Sequence, residues 1–215
     1  MSLPILHAAA HYAAVDKPPG LLSVPGRNER DSVATRIRAM FPDATGPVTV
    51  HRLDMETSGV ILVALDPDAH RALSMQFEAR TVGKRYIAVL DGAVEGDAGV
   101  VTLRQRVDLD DRPRQILDDA HGKEAVTRWR VLERTTDAGR ARTRVEFEPV
   151  TGRSHQLRIA SAAPVARGGL GAPIAGDSLY GDAASAPRLL LHAAFLSFDN
   201  PATGVRVEVR SEEPF

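Results

Sequence analysis

The sequence predicts an α+β fold, a mostly antiparallel mixed sheet with a few flanking helices, and three observations carry that prediction. Strand-like runs follow one another through the second half of the chain. One alternates cleanly, with Val145, Phe147 and Pro149 separated by Arg144, Glu146 and Glu148, the pattern of a half-exposed antiparallel strand. Turn material lies between such runs, at Asp110-Asp111-Arg112-Pro113 and Thr136-Asp137-Ala138-Gly139. Helical periodicity is confined to a few short stretches.

In chain order, the pattern gives a helix at about 31–41 and strands at 48–51 and 59–65. Asp66 then caps a helix with Pro67 in its first turn, where Ala69, Leu73 and Phe77 recur every four residues as one buried stripe. Strands follow at Tyr86 to Leu90, Gly99 to Val107, Glu124 to Glu133 and Thr143 to Glu148. Ser154 to Ala163 has helical composition with Ser154 as N-cap, which sets His155 and Arg158 one turn apart on one face. Gly168, Gly169, Gly171 and two prolines make Pro164 to Gly176 a loop, and strands at Leu189 to Phe198 and Val205 to Arg210 close the chain.

Composition bounds the function. A chain of 215 residues, 43% hydrophobic and 26% charged, can bury a proper core as one large or two small domains. The absence of cysteine excludes disulfides, a thiolate nucleophile and any Cys-based metal site. No leader pattern and no run of about 18 apolar residues is present, so a cytoplasmic protein without membrane contact is expected. A net charge of −1 argues against a purely electrostatic nucleic-acid binder. The charge is uneven, however: thirteen Lys or Arg face ten acids between Arg104 and Arg158, enough for a modest basic face.

The densest candidate site is His51-Arg52-Leu53-Asp54-Met55-Glu56-Thr57-Ser58-Gly59, a charged turn wedged between two apolar runs. A carboxylate at a strand edge, flanked by Arg and His, is held rigid by the strands and ionised by the cations, so Asp54 is the first candidate for chemistry. A metal site of Asp54 with His51, His155 and His192 is set aside, because no ligand spacing such as His-Glu-x-x-His occurs.

Five ordered strings in this chain resemble the motifs of the RluA family of RNA pseudouridine synthases. They are Asp16-Lys17-Pro18-Pro19-Gly20-Leu21-Leu22-Ser23-Val24-Pro25-Gly26, the Asp54 string, Lys84-Arg85-Tyr86, Thr151-Gly152-Arg153-Ser154-His155-Gln156-Leu157-Arg158, and Pro173-Ile174-Ala175-Gly176-Asp177 with Tyr180-Gly181. Within the family the likeness runs to members acting on tRNA and 23S rRNA, through Ser23 to Gly26, Asp111 to Gln115 and Pro187 to Ala193. One departure stands out: Ile159-Ala160 lacks the histidine usual after Arg158, and Val165 to Gly171 is longer and richer in glycine.

The resemblance implies the pseudouridine synthase catalytic fold as a single domain over residues 1–215, with no amino-terminal accessory RNA-binding module. It implies isomerisation of uridine in a tRNA anticodon stem-loop, a 23S rRNA hairpin or both, by a monomer without cofactor or metal. Asp54 is the implied nucleophile, Arg158 the cation paired with it, and Tyr86 the side chain lying against the uracil ring. Arg52 would fill the gap left by a flipped base, and His51, Thr57, Arg153, His155 and Gln156 would contact substrate. Two rival classes are weighed against this. A non-catalytic RNA-binding module would not need an intact Asp, Tyr and Arg set. A nucleoside or glycoside hydrolase would need a second carboxylate, for which Asp177 is a weak choice.

Overall fold

The computed structural model describes residues 2–137 and 139–215. It divides into two compact units, Met1–Lys84 with His192–Phe215, and Arg85–Leu191. Among the described residues, no helix is long and apolar enough to cross a membrane.

The first unit is organised around β3 (Ser58–Ala64), a continuous apolar run buried along its whole length. It pairs antiparallel with β2 (Tyr12–Lys17), from Tyr12 opposite Ala64 to Lys17 opposite Gly59. β1 (Ile5–Ala8) forms a hairpin with β2. At its start β3 also runs parallel to β9 (Leu191–Asp199), with Ser58 opposite His192 and Gly59 opposite Ala193, and β9 carries β10 (Arg206–Arg210) antiparallel. Two helices belong here. α1 (Val33–Met40) opens with a reciprocal box between Ser32 and Thr35. α2 (Pro67–Glu78) is capped by Asp66 with Pro67 in the first turn, as the sequence predicts, and its Ala69 and Leu73 join Tyr12, Leu62 and Phe198 in the core.

The strand expected at 48–51 does not form beyond a single bridge between Thr49 and Val63. His51 explains the shortfall. Its ring Nε2 accepts the Leu62 N–H at 2.9 Å, so a side chain takes the ladder position that a backbone carbonyl would otherwise fill.

The second unit is an antiparallel sheet whose strands are not ordered as in the sequence. β4 (Gly83–Asp91), whose first two residues belong to the first unit, pairs with β8 (Arg140–Pro149), β8 with β7 (Lys123–Asp137), β7 with β5 (Ala98–Val107), and β5 with the short β6 (Gln115–Leu117). The turn expected at Thr136–Gly139 joins β7 to β8, and its Ala138 lies outside the described residues. α3 (Gln156–Ala162) packs on β5, β7 and β8, burying Leu157 and Ile159 against Val145, Phe147 and Ile174. The cap is not Ser154 but His155, which sits in the left-handed region at φ 53° and offers no side-chain cap to the helix. Pro164 to Gly176 is a loop as expected, with one 3-10 turn at Val165–Arg167.

The Gly59 position demands glycine twice over. Its φ is +108°, and a Cβ there would lie 2.3 Å from the Ala193 carbonyl oxygen of the adjoining parallel strand. Gly59→Ala is therefore expected to destabilise the protein by about 3 kcal/mol, combining backbone strain with overpacking. Gly204→Ala, at φ +70° in open space, should cost only about 1 kcal/mol. Urea unfolding of the two variants checks the ordering, and equal losses would remove the close approach as its cause.

Candidate active site

In the first unit the Asp54 loop is held from both ends. Lys17 is fully buried, and its Nζ donates to three carbonyls: Leu21 at 2.6 Å, Met55 at 2.7 Å and Pro18 at 3.0 Å. The Met55 carbonyl also accepts the Gly20 N–H, a contact made possible by a left-handed turn at Gly20 (φ +80°). Ser23 binds Leu53 in both directions, its hydroxyl donating to the Leu53 carbonyl and accepting the Leu53 N–H. The amino-terminal string is thus a cradle for the backbone on either side of Asp54. Thr57 N–H closes the turn onto the Asp54 carbonyl at 3.1 Å.

Beneath the turn, Ser58 Oγ meets the buried His192 at Nδ1, 2.9 Å away, and His192 Nε2 reaches the Ser211 hydroxyl at 3.1 Å. Both imidazole nitrogens are therefore committed to structure. Within this fixed loop Asp54 is half-buried and Arg52 is exposed, whereas Thr57 is buried. His51 stacks on Phe77 with ring centroids 4.5 Å apart. Burial, aided by the Lys84 charge, brings its pKa down to about 3, so it stands as a neutral acceptor for the Leu62 N–H.

In the second unit the fourth string, Thr151 to Arg158, folds into a tight turn leading into α3. Gln156 organises it: Oε1 accepts from Thr151 Oγ1 and Arg153 N–H, and Nε2 donates to the Val126 carbonyl and Thr127 Oγ1. All four hydrogen-bonding positions of the amide are used inside the chain. Arg153 Nε donates to the Glu124 carbonyl at 3.0 Å. Arg158 is buried in α3, and its Nε and Nη2 grip Asp177 at 2.8 and 2.6 Å in a two-point contact. Asp177 Oδ1 also accepts the N–H groups of Leu179 and Tyr180. Burial alone would raise the Asp177 pKa, but the Arg158 guanidinium and the two backbone N–H groups outweigh it and hold the carboxyl below the usual carboxylate range.

The structure thus gathers His51, Arg52, Asp54 and Thr57 on one braced loop of the first unit. It gathers Arg153, His155, Gln156 and Arg158 on one turn of the second, where Tyr86, opposite Phe147 on β4, packs against the core. Four contributors lie outside the expected substrate site: Asp177, weighed only as a second carboxylate, and Tyr180 in the fifth string, Lys17 in the first, and His192, weighed only as a metal ligand, within the Leu189 to Phe198 strand. Nothing in their spacing marked which backbone or cation each would hold. Among the described residues no group of three or more His, Asp or Glu could hold a metal ion.

A family model described as RNA pseudouridylate synthase matches residues 11–163. The dual-specificity RNA pseudouridine synthase RluA of Escherichia coli (strain K12) is 44% identical, over 99% of this chain and 94% of its own length. The protein of that name from Yersinia pestis is 42% identical, over 98% of this chain and 99% of its own. Among solved structures, human RNA pseudouridylate synthase domain containing 1 superposes with a TM-score of 0.82 at 28% identity, covering 100% of this chain and 84% of that one. Human RNA pseudouridylate synthase domain containing 4 gives 0.77 at 25% identity, covering 98% and 88%.

The depressed Asp177 pKa fixes the sign of a pH effect. Its ionised form stabilises the fold above the unfolded-state pKa of about 4, and that contribution fades as pH falls through the lower folded value. Asp177→Asn leaves the Arg158 charge buried without its carboxylate and should cost about 3 kcal/mol at pH 7. Measured by urea unfolding, the gap between the two proteins should close progressively below pH 4. A gap independent of pH would mean that the carboxylate charge is not what holds Arg158.

Proposed function

Because this chain belongs to the RluA family of RNA pseudouridine synthases, we propose that it converts specific uridines of structured RNA to pseudouridine, in a tRNA anticodon stem-loop, a 23S rRNA hairpin or both. The observation that carries this reading is the braced Asp54 loop, with both neighbours of Asp54 fixed through their backbone by Ser23, Lys17 and Gly20. A reacting carboxylate needs that rigidity, since a displacement of about 1 Å can cost about a hundredfold in rate.

The reaction breaks the bond from the sugar to nitrogen 1, turns the uracil over, joins carbon 5 to the same sugar carbon, and transfers the carbon 5 proton away while nitrogen 1 ends protonated. The isomerisation involves no net oxidation or reduction, so no redox cofactor is required. Asp54 acts as nucleophile toward carbon 6 or the anomeric carbon, or assists elimination at the sugar. Each route needs an ionised carboxylate beneath a base, and we assign to Arg158 the cation that keeps it so. The two-point grip of Asp177 supports this role, because it fixes the plane of the guanidinium. Tyr86 is assigned to the uracil ring and to accepting a proton late in the reaction.

The target uridine must leave its stack, at a cost of a few kcal/mol, and Arg52, exposed two residues before Asp54, is assigned to the space left behind. We further propose that the chain works as one catalytic domain, as a monomer in the cytoplasm; the family model runs through both units and supports the first of these.

RNA carrying tritium at uracil carbon 5 tests the reaction. Tritium release with an intact RNA chain is the expected result, whereas free uracil would indicate a hydrolase and no release a binding protein. Asp54→Asn should lower turnover by more than about a thousandfold while RNA affinity stays within about twofold, since the amide cannot attack. Turnover above about a tenth of wild type would remove Asp54 as nucleophile.

Arg52→Ala separates flipping from chemistry. Its single-turnover rate should fall at least tenfold more on a structured stem-loop than on a short unstructured oligonucleotide, where flipping is cheap. Equal losses on both RNAs, with the salt slope of binding reduced by about one, would leave Arg52 as a phosphate contact.

A further inference from the structure

We infer that Tyr180 is a positioning residue, tying the turn before α3 and the entry to β6 to the guanidinium of Arg158. The inference rests on the catalytic reading of Arg158 given above. Tyr180 is carried by the loop that Asp177 organises, and its own N–H is one of the donors to Asp177 Oδ1, at 3.0 Å. Its hydroxyl accepts the Gln115 N–H at 2.7 Å, at the first residue of β6. The same oxygen lies 2.7 Å from His155 Nδ1, so one proton bridges phenol and imidazole. Its ring has the Arg158 guanidinium 5.2 Å from its centroid and the Arg114 guanidinium at 5.4 Å.

Each contact restrains something that otherwise would move. His155 is a non-glycine residue at φ 53°, a conformation that persists only when its surroundings hold it. The edge-on packing of its ring against Tyr180, centroids 5.6 Å apart, together with the hydroxyl contact, supplies that hold three residues before Arg158. Asp177 fixes one edge of the Arg158 guanidinium, and the Tyr180 ring restricts its tilt about that edge. Burial raises the phenol pKa, so the hydroxyl keeps its proton over the working pH range. The string Asp177 to Tyr180 therefore treats the two features of a cation separately, its charge through the carboxylate and its orientation through the ring.

The test uses the full chain with Tyr180→Phe and Tyr180→Leu, read by single-turnover tritium release at saturating enzyme, RNA affinity, thermal melting and the water-exchange rate of the Arg158 Nε–H proton by NMR. Tyr180→Phe keeps the ring and loses the hydroxyl contacts, so its rate should fall about fivefold to tenfold with RNA affinity unchanged. Tyr180→Leu loses both, and its rate should fall about a hundredfold while the Arg158 Nε–H exchanges at least tenfold faster than in wild type. A wild-type rate in Tyr180→Phe, a loss confined to RNA affinity, or an unchanged exchange rate in Tyr180→Leu would overturn the inference. If Tyr180→Leu does not fold, the rate and affinity of Tyr180→Phe decide. If wild type itself releases no tritium, the isomerase reading fails separately, and the exchange measurement still decides whether Tyr180 positions Arg158.

Discussion

A guanidinium taken out of water and gripped by a carboxylate taken out of water is the constraint on which the second unit depends. Arg158 and Asp177 are 4% and 0% exposed, and two short hydrogen bonds join them. Desolvating two ions costs several kcal/mol each, and their attraction offsets this only when geometry is good and the remaining hydrogen-bonding positions are filled. Both conditions hold here, because the Leu179 and Tyr180 N–H groups complete the Asp177 carboxylate. A pair of apolar side chains would fill the same volume with less expense, so stability alone does not account for the pair. What the ions add is direction: a planar fork held at two points has one orientation, and α3 and the Asp177 loop are fixed to each other through it.

The first unit solves the same problem with a different cation. Lys17 has no fork, yet three carbonyls from residues 18, 21 and 55 surround its ammonium group. An ammonium carries three donors, and three acceptors close to it fit that number. Because one of these acceptors follows Asp54 directly in sequence, the buried charge fastens the amino-terminal string to the Asp54 loop. Gly59, Ser58 and His192 fasten the other end, with Gly59 admitting the parallel neighbour at a distance no side chain would tolerate. The motif strings are thus mostly scaffolding. Of the residues from His51 to Gly59, only Arg52, Met55 and the half-buried Asp54 and Glu56 have much to offer a ligand once the backbone contacts, the neutral His51 and the buried Thr57 and Ser58 are counted.

This division explains which features are legible in the sequence. The α+β class, the capped helix at Asp66 and the later strands were readable because they depend on local signals: alternation, an N-cap, a proline in the first turn. The strand at 48–51 and the Ser154 cap differ from the sequence pattern because side-chain hydrogen bonds override it, His51 to Leu62 in one case and Gln156 with the remote Tyr180 around the turn in the other. β1 and β6 do not register because strands of four and three residues carry too little periodicity, and β2 because its Tyr12 to Val15 stretch is buried on both faces and does not alternate. Asp54 is legible from its place at a strand edge between Arg and His, whereas Arg158 and Tyr86 are legible only as members of a family pattern. Asp177 and Tyr180 were in the same strings, but a sequence does not show which cation a carboxylate will meet.

The charge distribution changes meaning in the same way. The excess of basic residues between Arg104 and Arg158 suggests a basic face, yet many of them are already matched in the folded chain. Arg128 pairs with Glu148 and Arg130 with Glu146 across β7 and β8, Arg106 with Asp118, Arg134 with Asp97, and Arg142 with Asp91. Exposed pairs of this kind add little stability, but they do neutralise the sheet surface that carries them. A protein with net charge −1 whose arginines are largely engaged by its own acids gains little from a diffuse positive field. Affinity for RNA then has to come from a small number of well-placed contacts and from the shape of the target rather than from a diffuse field.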